Sequence, residues 1–170
     1  MSNNRLLINI VLIFVLVISI NIANSYKMSE GNDIDKDLTL SSAYDIEYGN
    51  LCEINFMLLK QVIICRKSGN QWMSGNNICT SVIGEFIEFI TGLPVVDKFE
   101  VNDRIKEYGL EDADTKIILK QWNGKIIEFT VGGMNPGGVA IYIRKSDEKE
   151  IILVGSIILT ELKHVAERII

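Results

Sequence analysis

The chain has 170 residues, of which 48% are hydrophobic and 23% are charged, a balance typical of one globular domain with a short appendage. Its net charge is −5, and its Lys and Arg residues are scattered singly along the sequence. These values exclude the basic surface that attracts nucleic acid, so we expect no nucleic-acid partner.

The N-terminus contains an uncharged apolar run, residues 6–23, which Arg5 precedes and Lys27 follows. As an α-helix this run would be about 27 Å long, close to the roughly 30 Å of a bilayer core. We predict a signal anchor or transmembrane helix over residues 1–25, with a secretory signal peptide cleaved after Ser25 as the alternative. Both interpretations put the rest of the chain outside the cytoplasm, on a single-pass cell-membrane protein or as a secreted one. A buried core helix fits less well because the run has no polar stripe.

Residues 26–50 are rich in Ser, Asn, Asp and Gly, a composition that predicts a linker between the membrane and the domain. Within it, residues 38–40 are short and apolar enough for an edge strand, and an acidic binding tail is an alternative interpretation. We therefore expect the folded domain to occupy residues 51–170.

The domain begins with two strand-like runs, residues 53–58 and 62–67, which predict a hairpin. A turn at Ser68-Gly69-Asn70 then leads to Trp72. A helix is predicted from Asn76 or Asn77, as its cap, to about residue 91, because apolar residues recur there at helical spacing. A short second helix is expected over residues 102–108. Ser156 is a candidate cap for a last amphipathic helix through residue 168, with Ile158, Leu162, Val165 and Ile169 on one face.

Between the second and last helices, four short apolar runs are separated by turn signals. The first two, residues 115–122 and 125–131, flank Asn123-Gly124, a pair typical of a type I′ hairpin turn. Their alternation predicts that Ile117 and Leu119 face the core together with Phe129. A glycine-rich loop over residues 132–138 then precedes strands at 139–144 and 150–154. The expected fold class is α+β, an antiparallel β-meander of hairpins packed with two or three helices and preceded by the N-terminal transmembrane or signal helix.

The order of these features resembles that of a known bacterial family. Tyr108-Gly109-Leu110, the Asn123-Gly124 hairpin, Val131-Gly132-Gly133, the run Ala140-Ile141-Tyr142-Ile143-Arg144 and a final apolar strand are together similar to the domain of unknown function 4340. The resemblance covers residues 51–168, although the chain has Glu111-Asp112-Ala113-Asp114 where family members commonly have Pro. It implies a membrane-anchored extracytoplasmic domain of the kind found in gliding-motility proteins and ABC-transporter auxiliary proteins. It implies no catalytic residue.

The sequence itself offers little chemistry. His164 is the one histidine and has no nucleophile motif around it, so we expect no enzyme, no catalytic residue, no metal and no cofactor. The glycine-rich loop lacks the Lys of a phosphate-binding loop and leads into a strand. Cys52 and Cys65 flank the first hairpin, so they either form a cross-strand disulfide or remain reduced.

We therefore expect a non-catalytic accessory or protein-interaction module of an envelope or transport system, with the membrane and an envelope or ABC-transporter protein as partners. The alternative is an extracytoplasmic ligand-binding domain that takes a glycan or peptide. Its candidate binding residues are Trp72, Trp122, Gly133 and Asn135.

Overall fold

The computed structural model describes residues 38–58, 61–101 and 104–169. The predicted N-terminal helix and the first part of the predicted linker lie outside these residues. Among the described residues, no helix combines the length and the hydropathy needed to cross a bilayer.

The described helices are α1 (Leu40–Tyr44), α2 (Thr80–Gly92) and α3 (Ile157–Ile169), with short 3₁₀ turns at Tyr48–Asn50 and Ile105–Tyr108. The strands are β1 (Leu51–Leu58), β2 (Gln61–Ser68), β3 (Gln71–Ser74), β4 (Asn77–Ile78), β5 (Val95–Glu100), β6 (Thr115–Gln121), β7 (Ile126–Met134), β8 (Ala140–Lys145) and β9 (Glu150–Gly155). They form one nine-stranded sheet in the order β4-β3-β2-β1-β6-β7-β8-β9-β5. Neighbouring strands are antiparallel throughout. The predicted α+β class is confirmed.

The central hairpin has the predicted register. Ile117 pairs with Phe129 and Leu119 with Ile127, and these side chains are at most 2% exposed. The predicted type I′ turn is wrong, because Gly124 has φ +85° but Asn123 is not among the residues with positive φ. The Gly124 N–H donates to the Gln121 carbonyl at 3.0 Å, so a three-residue loop with glycine at its last position joins the strands.

The helices cover one face of the sheet and enclose the main core. On α3, the predicted stripe of Ile158, Leu162, Val165 and Ile169 is buried. On α2, Phe86 meets Phe56 of β1 edge to face, with ring centroids 4.9 Å apart. The predicted cap of α2 is wrong, because Asn77 is in strand β4 and the helix begins only after Cys79.

The end of the predicted linker belongs to the domain. Leu40 and Tyr44 of α1 are 1% and 5% exposed, and the Tyr44 ring contacts Phe129 with a centroid distance of 5.2 Å. Thr39 caps α1 through a capping box and forms an antiparallel bridge with Pro94. A five-residue helix is too short to show periodicity in the sequence, so residues 38–50 have the pattern of a linker. The burial of Leu40, Tyr44 and Ile46 corrects that boundary.

Three further parts of the chain differ from the prediction. Residues 95–100, where no strand is predicted, form edge strand β5, which pairs with β9. The predicted loop over residues 132–138 is shorter, because β7 continues through Met134 with a register shift between Val131 and Met134. The predicted second helix is the 3₁₀ turn Ile105–Tyr108, which Gly109 ends at φ +65°.

Candidate functional site

The four candidate ligand-binding residues lie in different places. Trp72 of β3 is 6% exposed and belongs to the main core, and its backbone N–H donates to the Thr80 hydroxyl at 2.9 Å. Trp122 is 67% exposed in the turn between β6 and β7. Trp72 therefore stabilises the junction of β3 with α2, whereas Trp122 is available at the surface.

Gly133 and Asn135 lie at the other end of β7 from Trp122. The Asn135 side-chain oxygen accepts from the backbone N–H groups of Val139 and Ala140, at 3.1 and 3.0 Å, so this side chain closes the β7–β8 turn. The structure thus does not bring Trp72, Trp122, Gly133 and Asn135 together, and no shared cleft for a glycan or peptide is formed by them.

A close backbone contact joins two of the sequence motifs. A Cβ added at Gly132 would overlap the Tyr108 carbonyl oxygen and lie 2.9 Å from Leu110 Cδ2. A Cβ at Gly109 would lie 2.8 Å from the Gly133 backbone nitrogen. The segment Tyr108-Gly109-Leu110 therefore packs directly on the backbone of β7, which only glycine at these positions permits.

This contact positions a small cluster of aromatic rings on the second face of the sheet, which is the face opposite the helices. The Tyr108 ring lies 4.8 Å from that of Tyr142 and 5.4 Å from that of Phe99, measured between centroids. Leu110 and Leu153 are buried there but do not belong to the main core. Residues 104–110 thus cover the second face over β8, β9 and β5.

Among the described residues, no helix covers the remaining part of the second face, over β2, β1, β6 and β7. We call it the open face. Its cross-strand neighbours follow from the register, for example Ile64, Asn55, Ile118 and Glu128 in one row. The apolar side chains of the open face are half-buried or exposed, and they are Met57, Val62, Ile64, Ile118 and Ile126.

The charged groups of the open face are held in ion pairs. The Glu53 carboxylate contacts Arg66 and Lys120 at 2.6 Å each. These cations lower the pKa of the Glu53 carboxyl to about 2, and the hydrogen bond from Lys120 has the largest effect. Lys116 contacts Glu128 at 2.7 Å and lowers the pKa of that carboxyl as well. The face therefore carries apolar side chains between paired charges, in which three cations contact two carboxylates.

Two polar atoms at this face are enclosed without a hydrogen-bond partner in the part of the chain that the structure describes. They are Asn55 Oδ1, in the middle of the open face, and Arg144 Nε, at its boundary. Arg144 pairs across the sheet with Thr130, which itself pairs with Lys116. The open face thus presents one acceptor and one cationic donor whose pairing with protein is incomplete.

The cysteines form no disulfide. Cys65 pairs across the hairpin with Ile54 instead of Cys52, so the alternative of a Cys52–Cys65 bridge is wrong and all three thiols are free. Burial raises the pKa of the Cys65 thiol to about 12 and also raises that of Cys79. His164 is exposed on α3, 4.0 Å from the Glu161 carboxylate. Within the described ranges, no group of three or more His, Cys, Asp or Glu side chains is arranged to hold a metal ion.

A family model described as Domain of unknown function (DUF4340) matches residues 85–169. The match begins within α2 and ends at the last residue of α3, so it includes the contact between Tyr108 and Gly132. It confirms the resemblance seen in the sequence, whereas β1 and β2 precede the matched residues. The chain matches no curated protein and no solved structure.

Proposed function

The chain belongs to the family of the domain of unknown function DUF4340, and from this premise we propose that it is a membrane-tethered, extracytoplasmic domain without catalytic activity. It acts by protein contact, as an accessory module of an envelope or transport system. The partner is an envelope or ABC-transporter protein with a complementary apolar surface.

The observation that carries this proposal is the composition of the open face. Val62 and Ile126 are 59% and 60% exposed at opposite sides of it, with half-buried Met57, Ile64 and Ile118 between them. Clustered exposed apolar side chains are typical of interaction sites, and the ion pairs around Glu53 supply the polar surroundings that such sites have.

The edges of the sheet offer less to a partner. At the β5 edge, the Lys98 backbone N–H donates to the carboxylate of the preceding residue, Asp97, at 2.8 Å. The Val95 N–H donates to the Leu38 carbonyl at 2.9 Å. At the other edge, β4 has only two residues. Occupied N–H groups and short strands are ordinary protections of these two edge strands against strand addition. The part of β2 that β3 does not pair with, residues 61–65, carries Val62 and Ile64 of the open face itself, so contact at the open face is favoured.

The tether is supported by the sequence of residues 6–23. We expect the full chain to sediment with membranes and to resist carbonate extraction, because an uncharged run of this length suits a bilayer core. Protease added outside the cell should digest the chain beyond residue 25. A full-length protein in the cytoplasmic fraction would contradict the tether without bearing on the open face.

The contact is tested by photocrosslinking in living cells. A photoreactive amino acid placed at Val62 or Ile126 should yield an adduct with one envelope protein, identified by mass spectrometry. The matched control position is Val139, which is 70% exposed in the β7–β8 turn and lies off the open face.

Two charge variants complete the test. Val62→Glu combined with Ile126→Glu should abolish the adduct formed from a photoreactive residue at Ile118, while Val139→Glu should leave it. Each substitution is at an exposed side chain and should change the free energy of unfolding by no more than about 0.5 kcal/mol. Adducts of equal yield from Val139 would refute the assignment of the contact to the open face.

A further inference from the structure

A pocket of about 330 Å³ opens on the helical side of the sheet, away from the open face. Its strand wall consists of Leu58, Gln61 and Thr115, at one end of β1, β2 and β6, where Leu58 pairs with Gln61. This volume is at the lower end of the roughly 300–1,000 Å³ that small-molecule sites have. It suits a short single chain rather than the two chains of a phospholipid.

The helical wall of the pocket comes from one side of α3. Leu159 and Ala166 are partly buried against the main core, and Leu162 is 2% exposed. With Leu58 opposite, these side chains make a mostly apolar interior, the usual lining of a small-molecule site.

The polar groups of the pocket are few. Gln61 and Thr115 carry hydrogen-bond donors, and Lys163 supplies a positive charge. The Lys163 ammonium lies 3.7 Å from the Glu167 carboxylate, and the two side chains are 73% and 59% exposed. An exposed pair of this kind is weak, so a ligand carboxylate can compete with Glu167 for Lys163.

We propose that this pocket binds a small amphiphile with one alkyl chain and one carboxylate. The chemical class of this ligand is the medium-chain fatty acids. The chain lies against Leu159, Leu162 and Ala166, and the carboxylate contacts Lys163. This inference does not rest on the proposed function, because none of these residues belongs to the open face.

Methyl NMR of the full chain tests the proposal. Octanoate should shift the methyl signals of Leu159 and Ala166 saturably, with a Kd of about 0.1–10 mM, as expected for a ligand of this size. Octanol has the same chain without the charge and should bind about two- to fivefold more weakly, and octyltrimethylammonium should bind more weakly still.

Two variants separate the pocket from its charge. Ala166→Phe fills the apolar interior and should weaken both octanoate and octanol at least tenfold, with Ala166→Leu as a milder filling change if the first variant unfolds. Lys163→Gln should remove the preference for octanoate over octanol. The matched control is Lys106→Gln, because Lys106 is 76% exposed and lies 3.6 Å from Glu111.

The absence of a saturable shift with octanoate would overturn the proposal, as would unchanged binding in a folded Ala166 variant. An octanoate preference that survives Lys163→Gln would overturn the assigned position of the carboxylate.

Discussion

Replacing Gly132 with Ala tests the contact between residues 108–110 and strand β7. The added methyl would overlap the Tyr108 carbonyl oxygen and approach Leu110 Cδ2 to 2.9 Å, well inside the 3.5–4.0 Å of a favourable carbon contact. Because the first of these atoms is backbone, a side-chain rotation cannot relieve the overlap. The segment must move away from the sheet.

The magnitude follows from what this movement disrupts. Leu110 is 4% exposed, and the Tyr108–Tyr142 ring contact at 4.8 Å is of a kind worth about 0.5–1.5 kcal/mol. Overpacking of a filled site costs about 1–3 kcal/mol, and we expect Gly132→Ala to lower the free energy of unfolding by this amount. The loss is a substantial fraction of the roughly 5–15 kcal/mol that stabilises a domain.

Urea denaturation of the full chain, followed by circular dichroism, measures the change, and the near-ultraviolet signal reports the tyrosine pair. The control is the same substitution at Gly84 in α2, where an added Cβ would have no atom within 4 Å other than those of the helix's own backbone and the adjacent residues. Gly84→Ala should raise stability by about 0.5–1 kcal/mol, because alanine favours the helix. Equal midpoints for Gly132→Ala and the unmodified chain would refute a tight backbone contact.

Three further predictions, one of them with a control substitution, have defined outcomes. Leu40→Ala should lower the free energy of unfolding, measured by heat or urea, by about 2–5 kcal/mol, because Leu40 is 1% exposed. A decrease below about 1 kcal/mol would contradict the assignment of α1 to the folded domain. Gly124→Val should cost about 1–3 kcal/mol at φ +85°, whereas Lys125→Ala should stay within about 0.5 kcal/mol. Glu53 has a folded pKa of about 2 against an ordinary 4.5, so its stabilisation is full above pH 4.5 and is lost as the pH falls towards 2. Glu53→Gln should flatten stability over that pH range, and an unchanged pH profile would contradict the ion pairs.

The parts of the fold that the sequence predicted are those held by local patterns. Ile117 and Leu119 lie on one side of their strand, whereas Lys116 and Lys120 lie on the other. A one-residue slip would expose both apolar residues, so this pattern determines the register. The stripe from Ile158 to Ile169 has helical spacing over several turns. In both cases the chain separation between the partners is small.

The parts that the sequence did not predict depend on distant partners. Strand β5 carries Asp97, Lys98 and Glu100, which are ordinary at a sheet edge but hide a strand pattern. Tyr44 is buried because its ring packs against that of Phe129, which lies far along the chain. No window of neighbouring residues contains this information.

The candidate site was predicted least well, for a physical reason. Trp72 and Trp122 are conspicuous in the sequence as large aromatic residues, yet β3 places Trp72 in the core and the β6–β7 turn places Trp122 in solvent. The open face consists of side chains such as Ile64 and Ile118, which look like ordinary strand residues in sequence. Only the position of the helices and of residues 104–110 determines which apolar residues remain uncovered.

The position of β5 has a consequence for synthesis of the protein. β5 is made before β6, but among the described strands it pairs only with β9, which leaves the ribosome about fifty residues later. Until β9 is made, Val95 has no strand to pair with, and the bridge between Thr39 and Pro94 has no sheet beside it. The hairpins β1–β2 and β6–β7 close by short loops and can assemble while the chain is still growing. The fifth strand in the sequence is therefore among the last to pair. A nascent chain that stalls before residue 150 exposes an unpaired β5 to any chaperone or neighbouring chain.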